Sequence, residues 1–348
     1  MKSKVAVPRV IVAMSGGVDS SVAAALLKEA GFDVIGMHMK FWAESDGKAN
    51  RCCTLESEKM ARLVAKKIGI PFYVLNLKKE FKKEVVGYFV STSKNGFTPN
   101  PCVVCNKEIK FGLLLKKAKA LGADFIATGH YAIVKNGKLF KGRDKNKDQS
   151  YFLWKLTSDT LKHTIFPLGG YTKEEVRGMA KEFKLPTAST PESQEVCFVS
   201  GTVKDFLAKY IKLKKGNIVD VSGKILGEHD GLSQYTIGQR KGIGVASQKP
   251  YFVVKKDLRR NELLVTQNEK DLFSKTLAVK DASWLDKKKL PVNVMAKIRY
   301  GSKGCLATVK KEKGIVKVIF SKPQRAITPG QSAVFYKGDE LLGGGTIK

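Results

Sequence analysis

Val10-Ile11-Val12-Ala13-Met14 is a short apolar, β-branched run that breaks into Ser15-Gly16-Gly17-Val18-Asp19-Ser20 and an alanine-rich segment, Ser21 to Ala30, closed by Gly31. Apolar run, glycine turn, helix-period segment and glycine stop predict a strand, a loop, a helix and its C-cap. The alternation continues with strands over residues 33–41, 72–77 and 125–128, and helices over about 55–68, 80–90 and 106–121. Thr172-Lys173-Glu174-Glu175 is a capping box that opens a helix through about residue 183, with Pro186 and Pro191 marking its exit. Strands that alternate with helices predict an α/β fold, a doubly wound parallel sheet of Rossmann-like type.

From about residue 217 the pattern changes to short alternating runs at 251–254 and 263–266, then at 292–300, 306–310, 315–320 and 332–336. Runs at this spacing predict two small β domains, the last a barrel. The expected organisation is therefore a catalytic α/β domain over 1–202, a small central domain over 203–274 and a C-terminal β-barrel domain over 275–348. Gly343-Gly344-Gly345 is too glycine-rich for a regular strand and is expected to form a bulge or turn.

Composition narrows the class. The chain has 348 residues, with 63 Lys plus Arg against 32 Asp plus Glu and a formal charge of +31. From residue 201 onward there are 30 basic and 13 acidic residues, and the first 200 carry 33 and 19, so the excess is spread over the body. A distributed positive field attracts polyanions, nucleic acid first among them, although a lysine-rich solvated surface would give the same count. No apolar stretch approaches the ~18 residues of a membrane-spanning helix. Arg9 and Pro8 interrupt what would otherwise imitate a signal peptide, and six cysteines are too few for a secreted disulfide framework of this size. A cytoplasmic protein with no membrane partner is the expectation.

The glycine turn is the first chemical signal. Two glycines let the backbone approach an anion, and the helix that follows aims unpaired N–H groups and a partial positive charge at it. The pattern lacks the Gly-Lys-Ser/Thr of the P-loop and the G-x-G-x-x-G of dinucleotide folds. Ser15 to Ser20 resembles instead the PP-loop of the ATP pyrophosphatases, which adenylate a substrate oxygen and release pyrophosphate. That superfamily contains both small-molecule ligases and tRNA-modifying enzymes.

The cysteine segments choose between them. Thr98-Pro99-Asn100-Pro101-Cys102-Val103-Val104-Cys105-Asn106-Lys107 and Ser193-Gln194-Glu195-Val196-Cys197-Phe198 resemble the tRNA-specific 2-thiouridylases of the MnmA type. The resemblance extends through Gly129-His130-Tyr131, Asp148-Gln149-Ser150, the segment from Gly231 to Arg240 and Gly330-Gln331. It implies that ATP, with Mg²⁺, adenylates O2 of the wobble uridine at position 34 of tRNAs for Lys, Glu and Gln, and that sulfur replaces the activated oxygen. The sulfur would come from a cysteine desulfurase, a sulfur-relay protein or free sulfide.

By the same resemblance Ala13, Met14, Ser15, Gly16, Gly17, Val18, Asp19, Ser20, Met39 and Gly129 hold ATP, while Asn100, Pro101 and Cys102 approach the target base. Cys105 matches the nucleophile and Cys197 the persulfide carrier. His130, Lys147, Asp148, Gln149, Arg299, Tyr300 and Gln331 match positions that contact tRNA. A thiol needs help to ionise at neutral pH, and Cys105, at the expected start of a helix and beside Lys107, has that setting. Many relatives carry Asp where this chain has Cys102, so two sulfur routes stay open. In one, Cys197 delivers a persulfide sulfur and Cys105 resolves it. In the other, slightly favoured for a chain with this third cysteine, Cys102, Cys105 and Cys197 ligate a [4Fe-4S] cluster with an open iron. Zinc is a weaker fit for three ligands.

Blander readings apply elsewhere. Cys52-Cys53 and Cys305 read as packing residues, and Lys287-Lys288-Lys289 as a solvated face. The rival functions are a PP-loop ligase acting on a small molecule, which needs neither Cys105 nor Cys197, and a basic RNA-binding protein without enzymatic activity.

Overall fold

The computed structural model describes residues 7–44, 54–190, 196–286 and 289–348. Cys52, Cys53, Ser193, Gln194, Glu195, Lys287 and Lys288 lie outside the described residues. Two compact units emerge: Met1–Val86 with Cys102–Ser200 and Asp339–Leu342, and Gly87–Pro101 with Gly201–Gly338 and Gly343–Lys348.

The first unit is built on five parallel strands. The chain runs through β1 (Arg9–Ala13), helix α1 (Val18–Glu29), β2 (Asp33–Lys40), α2 (Leu55–Ile68), β3 (Phe72–Asn76) and β4 (Phe125–Ala127). A hairpin of β5 (Ala132–Lys135) and β6 (Lys138–Lys141) follows, then β7 (Thr164–Ile165). The sheet order is β3-β2-β1-β4-β7, as a doubly wound topology requires, with β1 at its centre. Val10, Ile11 and Val12 are fully buried, which explains why β1 is a continuous apolar run rather than an alternating one. The small residues of α1 let it lie close to the sheet: Ala23 and Ala24 share a core with Val10, Val12 and Val22.

Helix termini follow the sequence signals. Thr54 Oγ1 accepts the Ser57 N–H at 2.9 Å at the start of α2, and Gly69 closes that helix at φ +67°. The Thr172–Glu175 capping box opens the helix Lys173–Glu182. The two middle helices differ from expectation. The segment expected at 80–90 begins at Lys78 and contains a π-helical turn, Lys82–Val86, before the helix Gly87–Lys94. The segment expected at 106–121 begins at Pro101, a residue whose missing N–H and fixed φ suit a first helical position, and runs as Pro101–Val104, a π-helical Cys105–Leu113 and Leu114–Ala120.

The second unit holds two β systems. The four strands β8 (Gly216–Asp220), β9 (Ile225–His229), β10 (Phe252–Asp257) and β11 (Glu262–Thr266) are ordered β10-β11-β8-β9, with β11 parallel to β8. They enclose a core that includes Ile218, Val253, Leu263 and Val265. After them come β12 (Phe273–Trp284), β13 (Val292–Lys297), β14 (Cys305–Glu312), β15 (Ile315–Arg325), β16 (Ser332–Lys337) and β17 (Glu340–Ile347). Their order, β12-β15-β14-β13-β16-β17, closes when β17 pairs back onto β12, giving a six-stranded barrel.

The closure corrects the expectation for Gly343 to Gly345, which are strand residues. A Cβ on Gly343 would run into the Ser283 carbonyl, and one on Gly345 would sit 2.8 Å from Val279 Cβ. Only glycine lets the two strands approach at the seam, and the irregularity falls on the partner strand, between Lys280 and Ser283. No helix among the described residues is long and apolar enough to cross a membrane.

Candidate active site and family

The glycine loop occupies the end of the central strand. Gly16 sits at φ +80°, a conformation that costs other residues roughly 1–2 kcal/mol, and a Cβ there would collide with the Ser57 carbonyl. The collision is decisive, because the backbone of α2 cannot yield. Gly17 offers no side chain to cap α1, so the first-turn N–H groups of that helix are left for a ligand. Serines brace the loop from within: Ser20 Oγ donates to the Gly17 carbonyl at 3.1 Å and accepts the Ser15 N–H at 3.1 Å, while Ser21 Oγ donates to the same carbonyl at 2.9 Å.

Met14 and Ala13 are buried beneath the loop, and Met39 is buried at the end of β2. Gly129 follows β4, and a Cβ on it would lie 2.8 Å from Asp19 C and Ser20 N. The expected nucleotide residues of β1, the loop and Gly129 are thus contiguous in space. His38 on β2, absent from the sequence expectations, holds the Met14 carbonyl through Nδ1 at 2.9 Å, and burial pushes its pKa down despite that bond.

Asp19 has two partners that no local motif announced. Lys173 Nζ donates to Asp19 Oδ1 at 2.6 Å and Oδ2 at 2.8 Å, and the Tyr131 hydroxyl donates to Oδ1 at 2.8 Å. The lysine side chain is 10% exposed and that of the aspartate 32%. Asp144 fixes the root of the lysine by accepting the Lys173 N–H at 2.9 Å; burial works against the Asp144 carboxylate, but backbone N–H groups of Lys173, Asn146 and Lys147 outweigh it and hold its pKa low.

The cysteines are placed differently from one another. Cys102 is exposed in the first helical turn after Pro101, whereas Cys105 is buried at the beginning of the π-helical stretch. The helix-terminus setting expected for Cys105 therefore falls on Cys102, because the helix starts a turn earlier; a helix N-terminus acts only within that turn. Cys197 is half-buried beside Phe198, which packs edge-on against Phe81 with centroids 5.8 Å apart, and Phe81 in turn stacks on Phe41. Among the described residues, which include all three thiols, no group of three or more His, Cys, Asp or Glu is gathered to hold a metal ion. No site for the expected [4Fe-4S] cluster is seen among them.

Of the residues expected to contact RNA in the first unit, His130 follows Gly129 with its ring in a triangular cluster with Phe111 and Phe166, at centroid distances of 5.7 Å and 5.8 Å. Burial, reinforced by the charge of Lys110, pushes its pKa well below the usual histidine value, so the ring is neutral and offers stacking and hydrogen bonding rather than charge. Asp148 is buried, accepting the N–H groups of Gly142 and Ser150 at 3.1 Å each, and shapes its loop from inside. Lys147 and Gln149 are half-buried on either side of it.

In the second unit, Gln331 Nε2 donates to the carbonyls of Thr98 at 3.0 Å and Pro99 at 3.1 Å, clasping the approach to Asn100, which is 8% exposed. Gly330, at φ +93°, makes that contact sterically feasible, since a Cβ would lie 2.7 Å from the Thr98 carbonyl. Arg299 Nη2 donates to the Ala326 carbonyl and, at 3.2 Å, to Thr328 Oγ1, and Tyr300 is exposed beside it. Arg299 thus has a structural task as well as whatever surface it offers.

A parallel sheet that delivers a glycine loop and an aspartate to the head of its first helix defines a nucleotide-binding α/β enzyme domain of the PP-loop class. Residues 8–201 match the profile described as tRNA methyl transferase HUP domain, 204–267 that of the tRNA methyl transferase PRC-barrel domain, and 274–347 that of the aminomethyltransferase β-barrel domain. The chain belongs to the MnmA family of tRNA-specific 2-thiouridylases. Relatives bearing that name are 48% identical in Carboxydothermus hydrogenoformans, over 98% of this chain and 97% of the relative, and 51% identical in Halothermothrix orenii, over 98% and 99%. A third, from Clostridioides difficile, is 45% identical over 98% of both chains. Among solved structures, a 4-thiouridine synthetase in complex with RNA and ATP is similar at a TM-score of 0.35 and 20% identity, over 55% of this chain and 45% of that one.

Proposed function

We propose that this protein is an ATP-dependent tRNA-uridine 2-sulfurtransferase that thiolates the wobble uridine, position 34. The observation that carries the reading is the near-full-length identity to 2-thiouridylases in a chain whose glycine loop is sterically obliged to be glycine and whose loop aspartate is held by a buried lysine. The distributed charge of +31 suits a tRNA partner.

The loop N–H groups bind the phosphates of ATP, and Mg²⁺ carried with ATP would offset charge on the departing pyrophosphate; Asp19, both of whose oxygens are bonded by Lys173, would have to give up that partner to hold the metal. Uridine O2 attacks the α-phosphorus; the O2 adenylate forms and pyrophosphate leaves. The terminal sulfur of a Cys197 persulfide then attacks C2, AMP departs, and a Cys197–S–S–C2 adduct results. Cys105 thiolate attacks Cys197 Sγ, which releases the 2-thiouridine anion for protonation at N3 and leaves a Cys105–Cys197 disulfide that an external dithiol reduces. Asn100, Pro101 and Cys102 would face the base, and an unpaired anticodon nucleotide costs little to extrude. His130, Lys147, Gln149, Arg299 and Tyr300 would meet the RNA. The substrates would be tRNAs for Lys, Glu and Gln, the sulfur donor a cysteine desulfurase or relay protein, and the compartment the cytoplasm.

Single-turnover incubation with ATP, unmodified tRNA and a desulfurase, followed by nucleoside mass spectrometry, tests the reading. The expected result is one 2-thiouridine at position 34 with stoichiometric AMP. AMP formation driven by a small amine without tRNA would replace it with a small-molecule ligase.

A further inference from the structure

Asn106 follows Cys105 in the chain and is 3% exposed. Its Nδ2 donates to the Phe152 carbonyl at 3.1 Å, which fixes the orientation of the amide, and its Oδ1 is buried with no hydrogen-bond partner among the described residues. An unsatisfied buried acceptor costs about 1–3 kcal/mol, so the position is not optimised for stability. It is the second residue of the nine-residue π-helical stretch Cys105–Leu113, the wide-turn geometry that concentrates at functional sites.

The partner of Asn106 leads onward. Phe152 N–H donates to the Gln149 carbonyl at 3.0 Å, and Gln149 is pinned twice to Tyr131: its N–H donates to the Tyr131 carbonyl at 2.9 Å and its Oε1 accepts the Tyr131 N–H at 3.1 Å. The Tyr131 hydroxyl ends on Asp19 of the glycine loop at 2.8 Å. One run of hydrogen bonds therefore joins the loop aspartate, the segment expected to meet RNA, and the helix that carries Cys105.

We propose that Asn106 is a positioning residue that ties the presentation of Cys105 to occupancy of the Lys147–Gln149 segment by tRNA. The inference rests on the function proposed above. A π-helical turn has a discrete alternative, the α-helical register, and that gives the coupling the two-state element it needs; the open valence of Asn106 Oδ1 is available to the second arrangement. Movement of Gln149 on RNA binding would pull the Phe152 carbonyl, and Asn106 with it, at the residue next to the thiol. Such a device would keep Cys105 buried until the substrate is in place.

The test measures the rate of Cys105 alkylation by iodoacetamide, localised by fragment-ion mass spectrometry, from pH 6 to 9, with and without unmodified tRNA. Wild-type protein, Asn106→Ala, Asn106→Ser, Gln149→Ala and the double variant are compared, with thermal melting run alongside. Binding of tRNA is expected to change the wild-type rate by about tenfold, within the usual range of coupling between sites. In Asn106→Ala the change should fall below about twofold, with Gln149→Ala giving the same loss and the double variant no further loss, the signature of one shared pathway. Asn106→Ser, which keeps a polar group, serves if the alanine variant fails to fold. A full tRNA response in either Asn106 variant, or additive losses, would overturn the proposal. A wild-type enzyme that thiolates tRNA while its Cys105 rate ignores tRNA would overturn the coupling alone, and one that neither binds nor thiolates tRNA would overturn the function as well.

Discussion

Lys173 Nζ lies 2.6 Å and 2.8 Å from the two carboxylate oxygens of Asp19, although 154 residues separate them in the chain. The pair joins the first turn of α1 to the first turn of the helix Lys173–Glu182. With the lysine nearly enclosed and the aspartate one-third exposed, the cost of desolvating the ammonium offsets much of the attraction, so the pair is a weak source of stability. Its value is better sought in catalysis: a cation beside the loop aspartate offsets charge where pyrophosphate develops it. Lys173→Met should lower AMP formation by about a hundredfold, comparable with the loss of one preorganised electrostatic donor, with melting temperature changed by a few degrees at most. Lys173→Arg should recover part of the loss. Pyrophosphate release measured by coupled assay decides, and an unimpaired Lys173→Met enzyme would reduce the pair to a structural link.

Histidine burial predicts an acid-sensitive fold. Three of the four histidines, His38, His130 and His229, have pKa values lowered by desolvation, with Lys110 adding to the effect at His130. A histidine held below its unfolded pKa stays neutral in the native state while the unfolded chain takes up a proton, so stability is lost as pH falls below about 6.5. Each such group contributes a slope of at most about 1.4 kcal/mol per pH unit between its folded and unfolded values. Calorimetry should show the melting temperature declining from pH 7 to pH 5.5. His130→Gln should flatten that decline.

The clasp made by Gln331 gives a prediction within the second unit. Two hydrogen bonds to the Thr98 and Pro99 carbonyls are worth roughly 1–3 kcal/mol together at the usual net value per bond. Gln331→Ala should therefore lower thermal stability and slow thiolation by about tenfold through the Asn100 segment, since 1.4 kcal/mol is a factor of ten. Gln331→Glu, which cannot donate from that side chain when ionised, should resemble the alanine variant. A variant that weakens tRNA binding with no change in melting would instead make Gln331 a direct RNA contact.

The sulfur route is decided by iron and by the two variants Cys105→Ala and Cys197→Ala. Because Cys102 is exposed while Cys105 is buried, and the thiols are not gathered as a metal group, protein purified anaerobically and then stripped of iron should remain fully active with a desulfurase. Cys197→Ala should abolish thiolation yet still form the tRNA adenylate. Iron near four per chain with activity that depends on it would restore the cluster, which is held by three thiolates in that case.

Local signals carried most of the first unit. β1 reads as a strand because it is buried on both faces, α1 because small residues pack against it, and the helix at Lys173 because its capping box is complete in four residues. The departures have local causes that periodicity does not encode. A π-helical turn has no apolar repeat of its own, which masks the continuity of the helix from Pro101 to Ala120; only Pro101, suited to a first helical position, marks the earlier start that gives Cys102 the helix-terminus setting. Gly343 to Gly345 carry a turn composition, yet the barrel seam needs their missing side chains more than it needs strand propensity. Lys173 reads in the sequence as part of a cap, and nothing around it shows that its side chain reaches back to Asp19 across 154 residues.

Gly129 gives the sharpest steric test of the nucleotide site. Its Cα faces the Asp19–Ser20 peptide so closely that a Cβ would lie 2.8 Å from two backbone atoms and 2.9 Å from Asp19 Cβ, distances no side chain rotation relieves. Either the strand end after β4 or the first turn of α1 must then shift, and the second would move the N–H groups that receive phosphate. Gly129→Ala should weaken ATP binding by about tenfold or more, as expected when a preorganised site is displaced by a fraction of an ångström. Binding of tRNA should weaken less than binding of ATP, because Arg299 and Tyr300 belong to the second unit, although His130 follows Gly129 directly. Isothermal titration with ATP and, separately, with tRNA distinguishes the cases. Equal weakening of both ligands would mean that the substitution disturbs the whole first unit, and unchanged ATP affinity would place the nucleotide away from the Asp19–Gly129 contact.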